Sequence, residues 1–226
     1  SALNSVGIIP NNKYNRYNFT VRNTTSLLKD RMTLDVGASY IMQNDRNMVN
    51  QGVYNNPVVT AYLYPRGNDY QDMAMFEHYD TTRKIYTQNW NGLISELVGQ
   101  NPYWINYRAP RTNRKYRYMM NAGLTYKFTD WLSVAARIRI DNSTNTYEEK
   151  LYATTNKTLT GSDNGMYNVQ KSDNKQTYGD VMANVNKRFF SDKLSMVANV
   201  GVSLSDMKQN LLGTRGPLDE GLIPNV

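Results

Sequence analysis

Residues 116–141, YRYMMNAGLTYKFTDWLSVAARIRID, hold two long alternating runs. Tyr118, Met120, Ala122, Leu124, Tyr126 and Phe128 fall on every second position, and Leu132, Val134, Ala136, Ile138 and Ile140 resume the period beyond Thr129-Asp130. Side chains on a strand alternate faces, so each run is a strand with one apolar face. A short polar break between two such runs predicts a tight antiparallel hairpin. Each run is about a dozen residues, against roughly five or six in a typical soluble strand, and crossing an outer membrane takes about 9–11. The second face carries Arg117, Asn121, Thr125, Lys127, Arg137, Arg139 and Asp141, which suits either a solvated sheet or a wet lumen. Aromatic placement favours the lumen: Phe128 and Trp131 flank the turn and Tyr116 and Tyr118 sit at the far end, where the two girdles of a membrane barrel would lie.

The same pattern recurs on both sides and predicts strands over about 16–28, 32–43, 116–128, 131–141, 178–189 and 194–205. Their turns are short, at Lys29-Asp30-Arg31, Thr129-Asp130 and Ser191-Asp192-Lys193. The connections between hairpins, 44–115 and 142–177, are long and mostly without period. Alternation of short turn with long loop is the outer-membrane pattern, with turns periplasmic and loops extracellular. The expected fold is therefore all-β: a six-strand sector, three long hairpins, of a large antiparallel transmembrane β-barrel. No apolar run approaches the roughly 18 residues of a membrane helix, which leaves a closed barrel as the spanning structure. Six strands cannot close around loops of this size, so residues 1–226 read as one sector of a wall. The opening SALNSVGIIPNN, without an initiator Met or a signal peptide, predicts a mature or excised segment. Within the first loop, Asn68 to Gln71 is expected to cap a helix over Asp72 to Tyr79, and Gly161 to Gly165 is expected to turn.

Composition removes several function classes. There is no Cys, hence no disulfide, thiolate chemistry or Cys-ligated metal. The formal charge of +7 is dispersed rather than gathered into the stripe that nucleic acid requires, and basic residues at a barrel rim would suit lipopolysaccharide phosphates. His78 is the lone histidine and has no nucleophile motif around it; adjacent Glu148 and Glu149 would point to opposite faces of a strand. No enzyme, metal or cofactor is expected. The densest aromatic and polar stretch comprises Tyr62, Tyr64, Arg66, Asp69, Tyr70, Trp90, Tyr103, Trp104, Tyr107 and Arg108. Flat rings beside hydrogen-bonding groups suit sugars, and they equally suit a protein interface, so these are candidate contacts to substrate or to a lid protein.

The ordered stretches GIIPNNKYNRYNFTVRNT, QGVYNNP with YLYPRGNDY, NPYWINYR, and NAGLTYKFTDWLSVAARIRID resemble the SusC/RagA family of TonB-dependent outer-membrane transporters of Bacteroidetes. The resemblance implies a 22-stranded barrel closed by an N-terminal plug domain that lies outside residues 1–226. It implies a SusD-like lipoprotein at the extracellular mouth and TonB acting through the plug. The cargo implied is an oligosaccharide, with a peptide as the alternative. A non-transporting surface adhesin or glycan-binding β-protein stays open beside it.

Overall fold

A computed structural model describes residues 1–90, 99–190 and 194–218 of this chain. In chain order its elements are strands β1 (Ala2–Val6), β2 (Lys13–Leu27) and β3 (Met32–Arg46), helix α1 (Pro57–Tyr62), a 3₁₀ turn (Tyr70–Ala74), strands β4 (Glu77–Asp80) and β5 (Ile85–Gln88), helix α2 (Pro102–Arg108), strands β6 (Arg111–Lys127) and β7 (Leu132–Leu151), helix α3 (Lys157–Thr160), and strands β8 (Met166–Phe189) and β9 (Leu194–Pro217). The protein is mostly β. Seven strands form one antiparallel sheet in the order β1-β2-β3-β6-β7-β8-β9, and β4 and β5 form a separate hairpin. The sheet is open, with β1 and β9 as its edges.

Three expectations need correction. The sheet has a seventh strand, β1, too short to show a period. The second long loop is much shorter than 142–177, because β7 and β8 continue in register from Asn142↔Lys175 to Leu151↔Met166. Beyond Ile140 both faces of these strands are polar, so the alternation that betrays a half-apolar strand disappears while the ladder continues. Finally, the helix expected over 72–79 is a 3₁₀ turn ending at Ala74, and Glu77–Asp80 is a strand paired with Ile85–Gln88. Asp80 accepts from the backbone N–H groups of Thr82 and Arg83 at 2.8 and 3.1 Å, a side-chain-built turn that reverses the chain and makes a hairpin of it.

The short turns are built locally. Leu28, Lys29 and Asp30 take positive φ between β2 and β3. Between β6 and β7, Thr129 Oγ1 accepts from the Leu132 N–H at 3.1 Å. The turn read at 191–193 lies outside the described residues. Lys187, on the apolar face near that end, lays its ammonium over the Trp131 ring at 4.5 Å.

No second layer covers the sheet among the described residues: Leu124 is 40%, Val36 43% and Val200 74% exposed. The buried core sits elsewhere, in Met73, Ile85, Trp104, Ile105, Ala109 and Ala153 of the loops and in Leu151 and Met166 where β7 and β8 meet them. The loops thus form a packed layer at one end of the sheet, opposite the short turns.

The bare apolar face is a slanted belt. Its positions run from Tyr17 to Leu27 on β2, Met32 to Met42 on β3, Tyr116 to Tyr126 on β6, Leu132 to Ile140 on β7, Val181 to Phe189 on β8 and Leu194 to Leu204 on β9. Leu27, Met32, Tyr126, Val134, Ala183 and Val200 share one hydrogen-bonded row. That row touches the turn-side margin of the belt on β2 and its middle on β9. From β2 to β9 the belt's midline therefore shifts about six residues toward the turn side in five strand-to-strand steps, most of it between β6 and β8. On average that is ~20 Å along the strands against ~24 Å across them, a slope near ~40°.

Candidate functional site

The loop layer owes its order to asparagines and glutamines, whose amides both donate and accept. Asn56-Pro57 and Asn101-Pro102 open α1 and α2: the asparagine oxygens accept from Val58 N–H at 3.0 Å and Tyr103 N–H at 2.9 Å, and proline occupies the first helical position. The Asn101 amide also donates to the carbonyls of Met73 and Asn89 at 2.9 and 3.2 Å. Asn47, at φ 51°, turns β3 out of the sheet; it exchanges bonds with the Arg111 backbone and donates to the Asn106 carbonyl.

The two long connections lock onto each other. Gln88 N–H donates to Thr154 Oγ1 at 2.8 Å, the Gln100 oxygen accepts from Asn156 N–H at 3.2 Å, and the Arg83 guanidinium reaches the Asn164 side chain at 2.8 Å. Gly165 returns the chain to β8 at φ 92°, where a Cβ would stand 2.3 Å from the Leu151 carbonyl oxygen, so only glycine fits.

This packing divides the aromatic candidates. Tyr103 and Tyr107, four apart on α2, share a face with Phe76. The three rings are parallel within 13–19° and mutually 5.5–6.5 Å apart. A column would put its outer pair at twice the spacing of its inner pairs; three near-equal separations instead make a triangular cluster of parallel, offset rings. Tyr107 is 44% exposed at its edge. Beside it an open groove of about 220 Å³ brings together Tyr62, Tyr70 and Tyr103, with Ile8, Ile9 and Pro10 of the β1–β2 connection on its rim. Tyr64 packs on Tyr70 and Trp90 at 6.4 and 5.6 Å, and Asp69 caps the 3₁₀ turn by accepting from Gln71 N–H. Arg66 stands exposed on the same connection.

Two candidates turn inward. Trp104 is fully buried and donates from Nε1 to Thr155 Oγ1 at 2.9 Å, so it is a core residue of the layer. Arg108 forms a two-pronged pair with Glu77 at 2.7 and 2.9 Å, its guanidinium carbon 5.8 and 5.4 Å from the Tyr86 and Tyr152 ring centres. The Glu77 carboxylate holds Arg108 above its ordinary pKa against the lowering effect of burial. This arginine ties α2 to the β4–β5 hairpin. Phe76 and the Ile8–Pro10 corner were not among the candidates; Phe76 lacks a polar handle, and the corner lies some fifty residues away in sequence from α1.

On the polar face, cross-strand ion pairs absorb much of the charge. Arg22 meets Asp35 at 2.9 and 2.7 Å, Arg137 meets Asp180 at 3.0 Å, and Arg117 pairs with Asp141. Arg139 lines, with Arg22, Asp35, Asn121, Arg137 and Asp180, a polar groove of about 570 Å³ on that face. His78 engages Thr87 Oγ1 at 2.9 Å within the β4–β5 hairpin. Among the described residues no three His, Asp or Glu side chains gather as a metal site.

Asp80 yields a prediction about acid. The Arg83 backbone N–H first, then that of Thr82, pulls its carboxyl below the ordinary 3.8, with desolvation opposing. A folded pKa below the unfolded value means the turn's contribution is present above about pH 4 and is lost as pH falls through the depressed value. Exchange protection of the Thr82 and Arg83 amides should drop on acidification in the wild type and stay flat in Asp80→Asn, whose amide oxygen accepts at every pH. An identical drop in the variant would assign the effect to another group.

No protein-family model matches the chain, and no curated protein matches it.

Proposed function

We propose that this chain is a sector of the wall of an outer-membrane β-barrel of the SusC/RagA type, and that it takes part in TonB-dependent import of oligosaccharides beneath a SusD-like surface lipoprotein. One observation carries the reading: the slanted belt. A slope of ~40° falls within the ~35–45° strand tilt of membrane barrels, and a belt of about eleven residues at that tilt stands ~25 Å tall, the height of their lipid-facing band. A soluble sheet needs no apolar band of constant height running obliquely across its register. The edge of β2 beyond its pairing with β1 and the open edge of β9 would be completed by further strands of the same wall, since unpaired backbone in hydrocarbon costs several kcal/mol per group.

The cargo rests on the loop layer. The Phe76–Tyr103–Tyr107 ring cluster can offer an exposed ring to the CH face of a pyranose, the tyrosine hydroxyls can take its polar edge, and Arg108 is already engaged by Glu77. A neutral hydroxyl-rich ligand suits that chemistry better than a charged peptide. Replacing Tyr103 and Tyr107 together by Ala is expected to weaken oligosaccharide binding by roughly tenfold or more, the size lost when stacking rings are removed. Retention of the surface lipoprotein, measured separately by copurification, should not change. Unaltered glycan affinity would remove the sugar role from this ring cluster.

A further inference from the structure

The outward face just above the belt carries a line of cations. Lys13 on β2, Arg46 on β3, Arg114 on β6, Lys175 on β8 and Lys208 on β9 share the face of Tyr17, Met42, Tyr116, Val181 and Leu204, and all five are exposed. Each stands about two to six residues beyond the last apolar position of its strand, on the loop side. Because the belt climbs through the register, these positions fall on a line parallel to its upper margin, at roughly the depth where headgroups begin. Only β7 offers an uncharged side chain at that level, Thr144.

Two of the pairings are repulsive. Lys13 lies directly opposite Arg46, and Lys175 directly opposite Lys208. Like charges facing across adjacent strands destabilise a sheet. The acids on the same face relieve little of this: Asp173 pairs with Lys171 at 3.6 Å and accepts from Thr144, and Asp206 stands at the upper margin of the belt. Among the described residues none of the five cations has a carboxylate within 4 Å.

We propose that this line binds the phosphate-bearing headgroups of anionic lipids, one headgroup bridging Lys13 and Arg46 and another bridging Lys175 and Lys208. The inference rests on the membrane-wall reading, which sets the belt in hydrocarbon and the line at its edge. Facing strand positions are about 4.5–5.5 Å apart at Cβ, so two long side chains converge on one phosphate without distortion. Acyl chains hanging from that phosphate would lie along the apolar belt below, which a free phosphate cannot do.

The test uses the complete folded protein in nanodiscs of phosphatidylcholine, with or without phosphatidic acid, and a variant combining Lys13→Gln, Arg46→Gln, Lys175→Gln and Lys208→Gln. Phosphatidic acid should raise the wild-type melting temperature and remain bound in native mass spectrometry, and the variant should bind it roughly tenfold or more weakly, each basic side chain near an anionic surface contributing to affinity. In pure phosphatidylcholine the variant should melt no lower than the wild type, because the facing cations there only repel. Equal binding of phosphatidic acid by both proteins, or an equal melting gain from inorganic phosphate alone, overturns the proposal. Normal insertion with no preference for the anionic lipid overturns this inference and leaves the wall intact; failure to insert into either bilayer overturns both.

Discussion

Trp104→Ala should dismantle the loop layer and leave the seven-stranded sheet standing. The indole is fully buried within the loop layer. Truncating a buried Trp to Ala typically costs about 3–5 kcal/mol through lost transfer energy and the cavity left behind. The upper part of that range is expected here, because Thr155, itself 2% exposed, loses the donor that satisfies its hydroxyl. The damage should stay local. The buried core lies in the loops and the strand ends beside them, whereas the sheet is held by its own ladder. Limited proteolysis should therefore open 47–110 and 152–165 while the strands stay protected, and Trp104→Phe, which keeps most of the volume, should fall between. An unchanged cleavage pattern would mean the layer does not depend on this side chain. Loss of the strands together with the loops would mean that layer and sheet are one cooperative unit.

The same residue marks where sequence reading stopped. Strands announce themselves when one face is apolar, so Leu124, Val36 and Val200 were legible from alternation alone. Where β7 and β8 run on with polar residues on both sides, hydrogen-bond pairing persists without any pattern in hydropathy to reveal it. In the loops, local density of aromatic residues stood in for geometry, and it could not separate Trp104 from Tyr103. Helical spacing could have done so: Trp104, Ile105 and Arg108 turn inward, while Tyr103 and Tyr107 fall together on the other face of α2. The cue to look for a helix was present in Asn56-Pro57 and Asn101-Pro102, a cap followed by a first-turn proline. No such cue brings Ile8 to Pro10 to the same groove as α1, since that placement depends on how β1 and β2 meet the loop layer.

Val200→Arg should cost far more than Leu204→Arg in folding of the complete protein into a bilayer, although the two residues share a strand and a face. Val200 sits at the middle of the belt on β9 and Leu204 at its upper margin. Arginine on the lipid face costs about 2–4 kcal/mol at the midplane and about 0–1 near the interface. The comparison isolates the slope. Leu204 lies in the hydrogen-bonded row of Gly179, Ile138 and Ala122, the last of which is close to mid-belt on β6. If the belt followed the rows, with no tilt, Leu204 would be the buried position and Val200 would lie nearer the turn side. A tilt of ~40° carries the midline several residues toward Val200 by the time it reaches this strand. The measurement is the fraction folded across a denaturant series in lipid vesicles, with Ala122→Arg as the midplane reference on β6. A larger penalty at Leu204 than at Val200 would deny the slope. Equal, negligible penalties at all three positions would mean that this face meets water rather than lipid, and the import reading would lose the observation it stands on.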